Sequence, residues 1–335
     1  MNIHLTFDVE VWCNGWDALD SSFDSSFERY VYGSSRHGQY ALPKTLDILN
    51  RNRLQGVFFV EPLFAARFGM EHLQIIVKLI RDAGQQVQLH IHPEWTDEIK
   101  PAIIANNEKK RQHLTFYTLD EQTSLIAFAK DLLQRAGSGP ITAFRAGSFA
   151  ANLDTFEALR RNGILMDSSL NRCYSISGPG ISRGTQVDAP FVINQVSTFP
   201  VTVFKDGFGK NRPAHVAACS VGEMTESMAS AKAAGLSDFT IVSHNFEMLM
   251  PGASTPSWVV VRRFEQLCAY LSEHRTQYPV SGYTQLAQHS VGHTAGNIAE
   301  NIAEKTAEHR NATVPAASLV STARRHLEQL ITRVA

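Results

Sequence analysis

Cysteine is scarce and scattered. The four residues, Cys13, Cys173, Cys219 and Cys268, stand far apart with no Cys-x-x-Cys spacing, which argues against a cysteine-rich zinc site or a disulfide framework. No apolar run approaches the roughly 20 residues of a bilayer-spanning helix. Met1-Asn2-Ile3-His4-Leu5 leads straight into strand-like sequence, without the basic start and apolar core of a secretory leader. A cytoplasmic location is therefore the expectation. Charge of one sign is missing too: 31 Lys and Arg face 32 Asp and Glu, for a net charge of −1. So even a balance gives no reason to expect nucleic acid or an anionic membrane as an electrostatic partner.

What is present is alternation. Ile3, Leu5 and Phe7 alternate with His4, Thr6, Asp8 and Glu10, as in a strand with one apolar and one polar face. The run 56–60 reads as a buried strand, and Leu73, Ile76, Val77 and Ile80 at helical spacing predict a helix from about Glu71, with Gly84 past its end. Val87, Leu89 and Ile91 then alternate with Gln88, His90 and His92 up to Pro93. Thr118 with Glu121, and Ser220 with Glu223, have capping-box spacing for helices stopping at Gly137 and Gly235. Strands are expected near 141–144, 164–167 and 238–243, and helices over 153–161 and 258–274.

This order predicts an α/β fold of parallel strands joined by right-handed crossovers. Asp8, Glu10, His90, His92, Arg145, Asp167 and His244 all fall at strand carboxyl ends, where a parallel barrel or open sheet places its site. Residues 13–40 read as a long loop over the mouth of that site, and 174–209 as a possible hairpin or further wall. After about Val291 the strand signal stops, so the expected division is a catalytic unit at 1–290 and a helical extension at 291–335. That extension holds a short repeat (297–300 and 301–304) and an apolar stripe of Ala323, Leu327, Leu330, Ile331 and Val334. The stripe either packs on the body or docks a protein partner or second copy.

Two pairs carry the chemistry. Residues two apart on a strand share a face, so Asp8 with Glu10 and His90 with His92 each aim two donors in one direction. Carboxylate plus imidazole suits a borderline divalent metal with one position left for water, the equipment of a hydrolase. Any one of these residues alone is more often a turn former or a satisfied polar group.

Five motifs in order then resemble the polysaccharide deacetylase superfamily, the NodB-like carbohydrate esterases, over roughly Asn2 to Leu286: Thr6-Phe7-Asp8-Val9-Glu10, His90-Ile91-His92-Pro93-Glu94-Trp95, Arg145-Ala146-Gly147-Ser148-Phe149, Met166-Asp167-Ser168-Ser169 and Ile241-Val242-Ser243-His244-Asn245. The second is particularly similar to a branch encoded with O-antigen and surface-polysaccharide genes. The chain departs from the family pattern in three places. Asp8-Val9-Glu10 stands where two adjacent aspartates are usual, one residue separates the histidines instead of three, and Gly147-Ser148 replaces a proline.

The resemblance implies a distorted (β/α) barrel of about seven parallel strands with metal-dependent N-deacetylase activity on a sugar. It assigns Glu10, His90 and His92 as metal ligands and Asp8 as the base oriented by Arg145, with the roles of Asp8 and Glu10 exchangeable. His244 would be the acid, oriented by Asp167, and a backbone N–H near Ser148 or Phe149 would hold the oxyanion. Trp95 and Trp258, with Trp12 and Trp16, are candidates to stack on a sugar, or equally to be ordinary packing. Zinc is the default metal, with cobalt, manganese or nickel able to occupy the same donors. The substrate would be an N-acylated sugar or glycan precursor. The competing readings are a hydrolase of a non-sugar amide or cyclic ureide, and a non-catalytic sugar-binding scaffold of a glycan-assembly complex.

Overall fold

The computed structural model describes residues 1–105, 107–174, 188–283 and 314–334. In chain order the elements begin with β1 (Asn2–Val9), α1 (Leu19–Phe27), a π-helical turn (Glu28–Tyr32), the hairpin β2 (Ser34–Ser35) and β3 (Gly38–Gln39), α2 (Leu42–Arg51) and β4 (Gly56–Val60). Then come α3 (Ala65–Phe68), α4 (Met70–Asp82), β5 (Gln86–Ile91), α5 (Leu119–Arg135), β6 (Ala143–Ala146), α6 (Leu153–Arg161) and β7 (Met166–Asp167). They are followed by β8 (Phe191–Ile193), β9 (Val196–Thr198), β10 (Val203–Lys205), β11 (Asn211–Pro213), α7 (Val221–Ala233), β12 (Asp238–His244), α8 (Trp258–Glu273) and α9 (Leu319–Val334). Both expected capping boxes are present, Thr118 with Glu121 on α5 and Ser220 with Glu223 on α7.

One sheet runs β12-β1-β4-β5-β6-β7-β9-β8; its first seven strands are parallel and only β8 is antiparallel. The sheet is curled, and the chain beyond β9 reaches back to β12 through single bonds, with no regular ladder there among the described residues: Thr202 N–H donates to the Thr240 carbonyl (3.1 Å), Ala214 N–H to Thr202 (2.7 Å) and Val242 N–H to Ala214 (2.9 Å). This is the distorted barrel of about seven strands that the resemblance implied.

Strand alternation sorts the side chains into two cores. Ile3, Leu5, Phe7 and Val9 face outward into the main core under the helices, where Phe7 stacks on Phe58 and meets Phe264 of α8 edge-on. Val57, Phe59, Ala143, Met166, Phe199 and Tyr283 form a separate cluster inside the barrel. His4 belongs there as well: it stacks on Tyr283, and its ring nitrogens meet Asp238 (2.8 Å) and the Ser281 carbonyl (3.1 Å). The polar face of β1 is thus the barrel interior, and it too is buried. Going up the barrel the lining turns from apolar to charged, ending in Asp8, Glu10, His90 and His92 at the carboxyl rim.

One expectation needs correction. Residues 13–40 are not a plain loop. Leu19, Phe23 and Phe27, four apart, make the buried stripe of α1, and Phe23 stacks on Phe68 at 3.8 Å. Serines and aspartates on the exposed side hid that stripe. For α9, where packing on the body and outward docking both stood open, the helix packs on the body through its polar face. Thr322 and Arg325 are buried, whereas Ala323, Leu327 and Leu330 face solvent. Arg325 joins Glu223 (3.0 Å) and Asp206 (2.9 Å) in a buried network, and Thr322 donates to Glu223 at 2.8 Å. The helix comes so close to the β10–β11 turn that a Cβ on Gly207 would stand 2.7 Å from the Leu319 backbone. The boundary expected at 290/291 and the repeat at 297–304 lie outside the described residues.

Removing one member of a buried ion network leaves the others unpaired. Arg325→Ala should therefore lower unfolding free energy by about 3 kcal/mol in urea titration; an unchanged midpoint and slope would show that α9 is not held by this network.

Candidate active site

The rim of the barrel gathers its donors on one carboxylate oxygen. Glu10 Oε1 lies 3.0 Å from His90 Nε2 and 2.9 Å from His92 Nε2. The opposite ring nitrogens are occupied: His90 Nδ1 donates to the Arg145 carbonyl (2.7 Å), and His92 Nδ1 meets Glu94 Oε2 (3.3 Å). Such outer contacts fix the tautomer and aim Nε2 inward. Trp12 Nε1 donates to the second oxygen of Glu10 at 2.5 Å, and Asn245 pins the Glu10 backbone through its side-chain oxygen (3.1 Å) and amide (3.3 Å).

This donor set fits a divalent metal. Ligand atoms around a tetrahedral zinc stand roughly 3.4 Å apart, so the three atoms need only separate by a few tenths of an ångström. Burial opposes ionising Glu10, but the His92 charge, the hydrogen bonds from His90 and His92 and the His244 charge together outweigh it and hold the carboxyl well below its ordinary range. Burial likewise opposes charging His92, and Glu10 outweighs it. Metal binding would displace the proton of His92.

Asp8, two residues before Glu10 and on the same face, takes a 2.7 Å bond from Arg145 Nη1. His244 completes the mouth, with Asp8, Glu10 and His244 each offering an atom within 4.8 Å of the others. Its orienting partner is not Asp167. That carboxylate is tied to Ser169, by Oγ at 2.5 Å and N–H at 2.9 Å, and braces the chain after β7. Glu247 holds His244 instead: its Oε1 lies 2.6 Å from His244 Nδ1 and 2.6 Å from His215 Nε2, while Ser243 Oγ donates to its other oxygen at 2.7 Å. At 2.6 Å these are hydrogen bonds, too close for two ligands of one metal. Burial lowers the His244 pKa, but Glu247 more than offsets it and the net result is about 9. Glu247 comes three residues after His244 on the turn beyond β12, and His215 lies in the irregular seam beside Val242. Neither has a spacing signal in sequence.

Gly147 is required by contact: a Cβ there would sit 2.8 Å from the His92 ring. Ser148 and Phe149 follow with φ of +54° and +56°, a costly pair of left-handed residues at the mouth. Phe149 stacks on Tyr174 at 5.3 Å. A pocket beside the metal donors is lined by Trp12, Asn14, Trp16, Tyr30 and Trp95 among others. Trp95 is a buried wall of it, edge-on to Trp16, Phe64 and Phe68, with no free face to offer. Trp258 stands elsewhere, half exposed against His37 and Tyr40.

Among solved structures, the chain is similar to a protein from Mycobacterium smegmatis assigned as a polysaccharide deacetylase, at 17% identity and a TM-score of 0.56 over 86% of this chain and 89% of that one. The chain has the fold of the NodB-like polysaccharide deacetylases. A 4-alpha-glucanotransferase from Thermococcus litoralis also matches, at 11% identity and a TM-score of 0.53, over 86% of this chain but only 40% of that one. No protein-family model and no curated protein matches.

Within this NodB-like barrel one further carboxylate has no counterpart in the motifs. Glu61 follows β4, the strand between those carrying Glu10 and the two histidines. Its N–H donates to the Val9 carbonyl at 3.0 Å, its Oε1 accepts from Leu63 N–H at 2.8 Å, and its buried Oε2 has no hydrogen-bond partner among the described residues. Burial pushes its pKa from an ordinary 4.5 to about 8. A carboxyl whose folded pKa is raised holds its proton longer in the folded state, so stability falls as pH rises from about 4.5 to about 8. The metal-free protein should show this decline in thermal unfolding, and Glu61→Gln should flatten it. Parallel profiles for the two proteins would contradict the assignment.

Proposed function

We propose that the protein is a metal-dependent N-deacetylase acting on an N-acylated sugar or glycan precursor of surface polysaccharide. The observation that carries this reading is the convergence of His90 and His92 on Glu10 beside Asp8, which Arg145 fixes, and His244, which Glu247 fixes. A sugar-binding scaffold has no use for a base and an acid beside a metal-ligand set. The NodB-like fold, shared with a protein assigned as a polysaccharide deacetylase, supports the same class.

Glu10, His90 and His92 would hold the metal, zinc by default, which when bound supplies Lewis acidity toward the acyl carbonyl and an acidified water. Asp8 accepts the proton of the attacking water, its orientation set by Arg145. A C–O bond forms at the acyl carbon as its carbonyl oxygen becomes an oxyanion, for which the backbone N–H of Ser148 or Phe149 is the candidate donor. His244, kept protonated at neutral pH beside Glu247, then gives its proton to the sugar nitrogen as the C–N bond breaks. Carboxylate and free amine are the products.

Trp12 and Trp16 are the residues we assign to stack on the sugar. They line the pocket next to the metal donors, and Trp12 also bonds to Glu10, so substrate contact and ligand position are linked through one ring. Ser148 and Phe149 follow Gly147, which lies against the His92 ring.

The test is acetate release from N-acetylated nucleotide-linked and lipid-linked sugars by the metal-loaded protein. Asp8→Asn should cut turnover at least about a hundredfold while the bound metal stays the same. Full activity in that variant would remove Asp8 as the base, and no release from any acetylated sugar by the wild type would remove the reading itself.

A further inference from the structure

The orientation of α9 is the opposite of what an amphipathic helix on a protein body normally shows. Apolar stripes turn inward because burying them is favourable. Here the inward side is Thr322 and Arg325, held by Glu223 and Asp206. Taking such charges out of water is costly. The outward side is Val320, Ala323, Leu327 and Leu330, at i, i+3, i+7 and i+10, with Leu319 beside them. The four large residues among these are 57–79% exposed.

The patch continues beyond the helix. Phe208, 59% exposed, stands at the tip of the β10–β11 hairpin between Gly207 and Gly209, and its ring lies 5.8 Å from that of His326 on α9. Gly207 N–H donates to Thr322 Oγ1 at 2.8 Å, which locks tip and helix together. A face with an aromatic tip and an aliphatic stripe is larger than the isolated apolar residues any surface shows.

Charge decides what covers it. The charged side chains that reach solvent on the hairpin and α9 are Lys205, Lys210, Arg212 and Arg324 against Glu328, a net of +3 among the described side chains, while Arg325 and Asp206 are buried against each other. A chain whose total is −1 thus carries a basic face here. A second copy would set that face against its own like. An anionic lipid surface satisfies both halves of the pattern: apolar side chains enter the headgroup boundary while Lys and Arg remain at its charged level.

We infer that the face formed by α9 and the Phe208 hairpin tip is a docking surface for an anionic lipid bilayer. The full-length protein tests this by co-sedimentation with phosphatidylcholine vesicles, with and without about one-third phosphatidylglycerol. It should partition onto the anionic vesicles only, and more weakly as salt is raised. Leu327→Asp should lower the partition coefficient about tenfold or more, and Phe208→Ser should lower it less. Both side chains are exposed, so the variants should keep the wild-type melting temperature. Three results would overturn the inference: no partition of the wild type, equal partition of wild type and Leu327→Asp, or a dimer in light scattering that Leu327→Asp dissolves while no vesicle is bound. None of these bears on deacetylation.

Discussion

A guanidinium buried inside the barrel is the constraint on which the rest of the site depends. Arg145 rises from β6 into the interior with no exposure to solvent. A charge there survives only if its donors are taken up. Nη1 reaches Asp8 on β1 (2.7 Å), Nη2 reaches Thr6 (2.8 Å) and Ser168 Oγ (2.9 Å), Nε reaches the Ser168 carbonyl (3.0 Å), and the cation lies 4.5 Å from the Phe59 ring on β4. One side chain thus ties four strands across the barrel and fixes the carboxylate assigned as the base. Its own carbonyl orients His90, so metal donor and base are referenced to the same residue.

The outer contacts follow the same logic. Each chemical group at the rim is held by a partner that does not itself react: Glu10 by Trp12 and Asn245, His92 by Glu94, His244 by Glu247. Such supports keep reacting groups within the few tenths of an ångström that catalysis tolerates. The strained turn at Ser148 and Phe149 stands against this frame, next to a glycine that leaves room for His92. Strain of that sort persists where the surroundings over-determine it.

The parts legible in the sequence were those that alternation and capping write locally. Period-two patterning placed Asp8 with Glu10 and His90 with His92 on shared faces, and Thr118 and Ser220 marked helix starts. What escaped depends on contacts between residues far apart in sequence or without periodic context. Glu247 replaces Asp167 as partner of His244 because the turn after β12 folds back on the rim, and no spacing rule encodes a turn of that shape. Glu61 follows an apolar run and belongs to none of the five motifs. In α9 the stripe was visible, but its direction was set by Arg325, which reads as an ordinary surface residue until Glu223 and Asp206 surround it. Whole-chain neutrality likewise concealed a basic face, since composition averages over a surface that the fold divides.

One metal held by Glu10, His90 and His92 is the centre of the proposed chemistry. Elemental analysis of the purified protein after loading with zinc, set beside His90→Ala treated the same way, tests it most directly. About one metal per chain in the wild type, lost from the variant, is the predicted result. A wild type that retains no metal, or a variant that retains as much as the wild type, would contradict it.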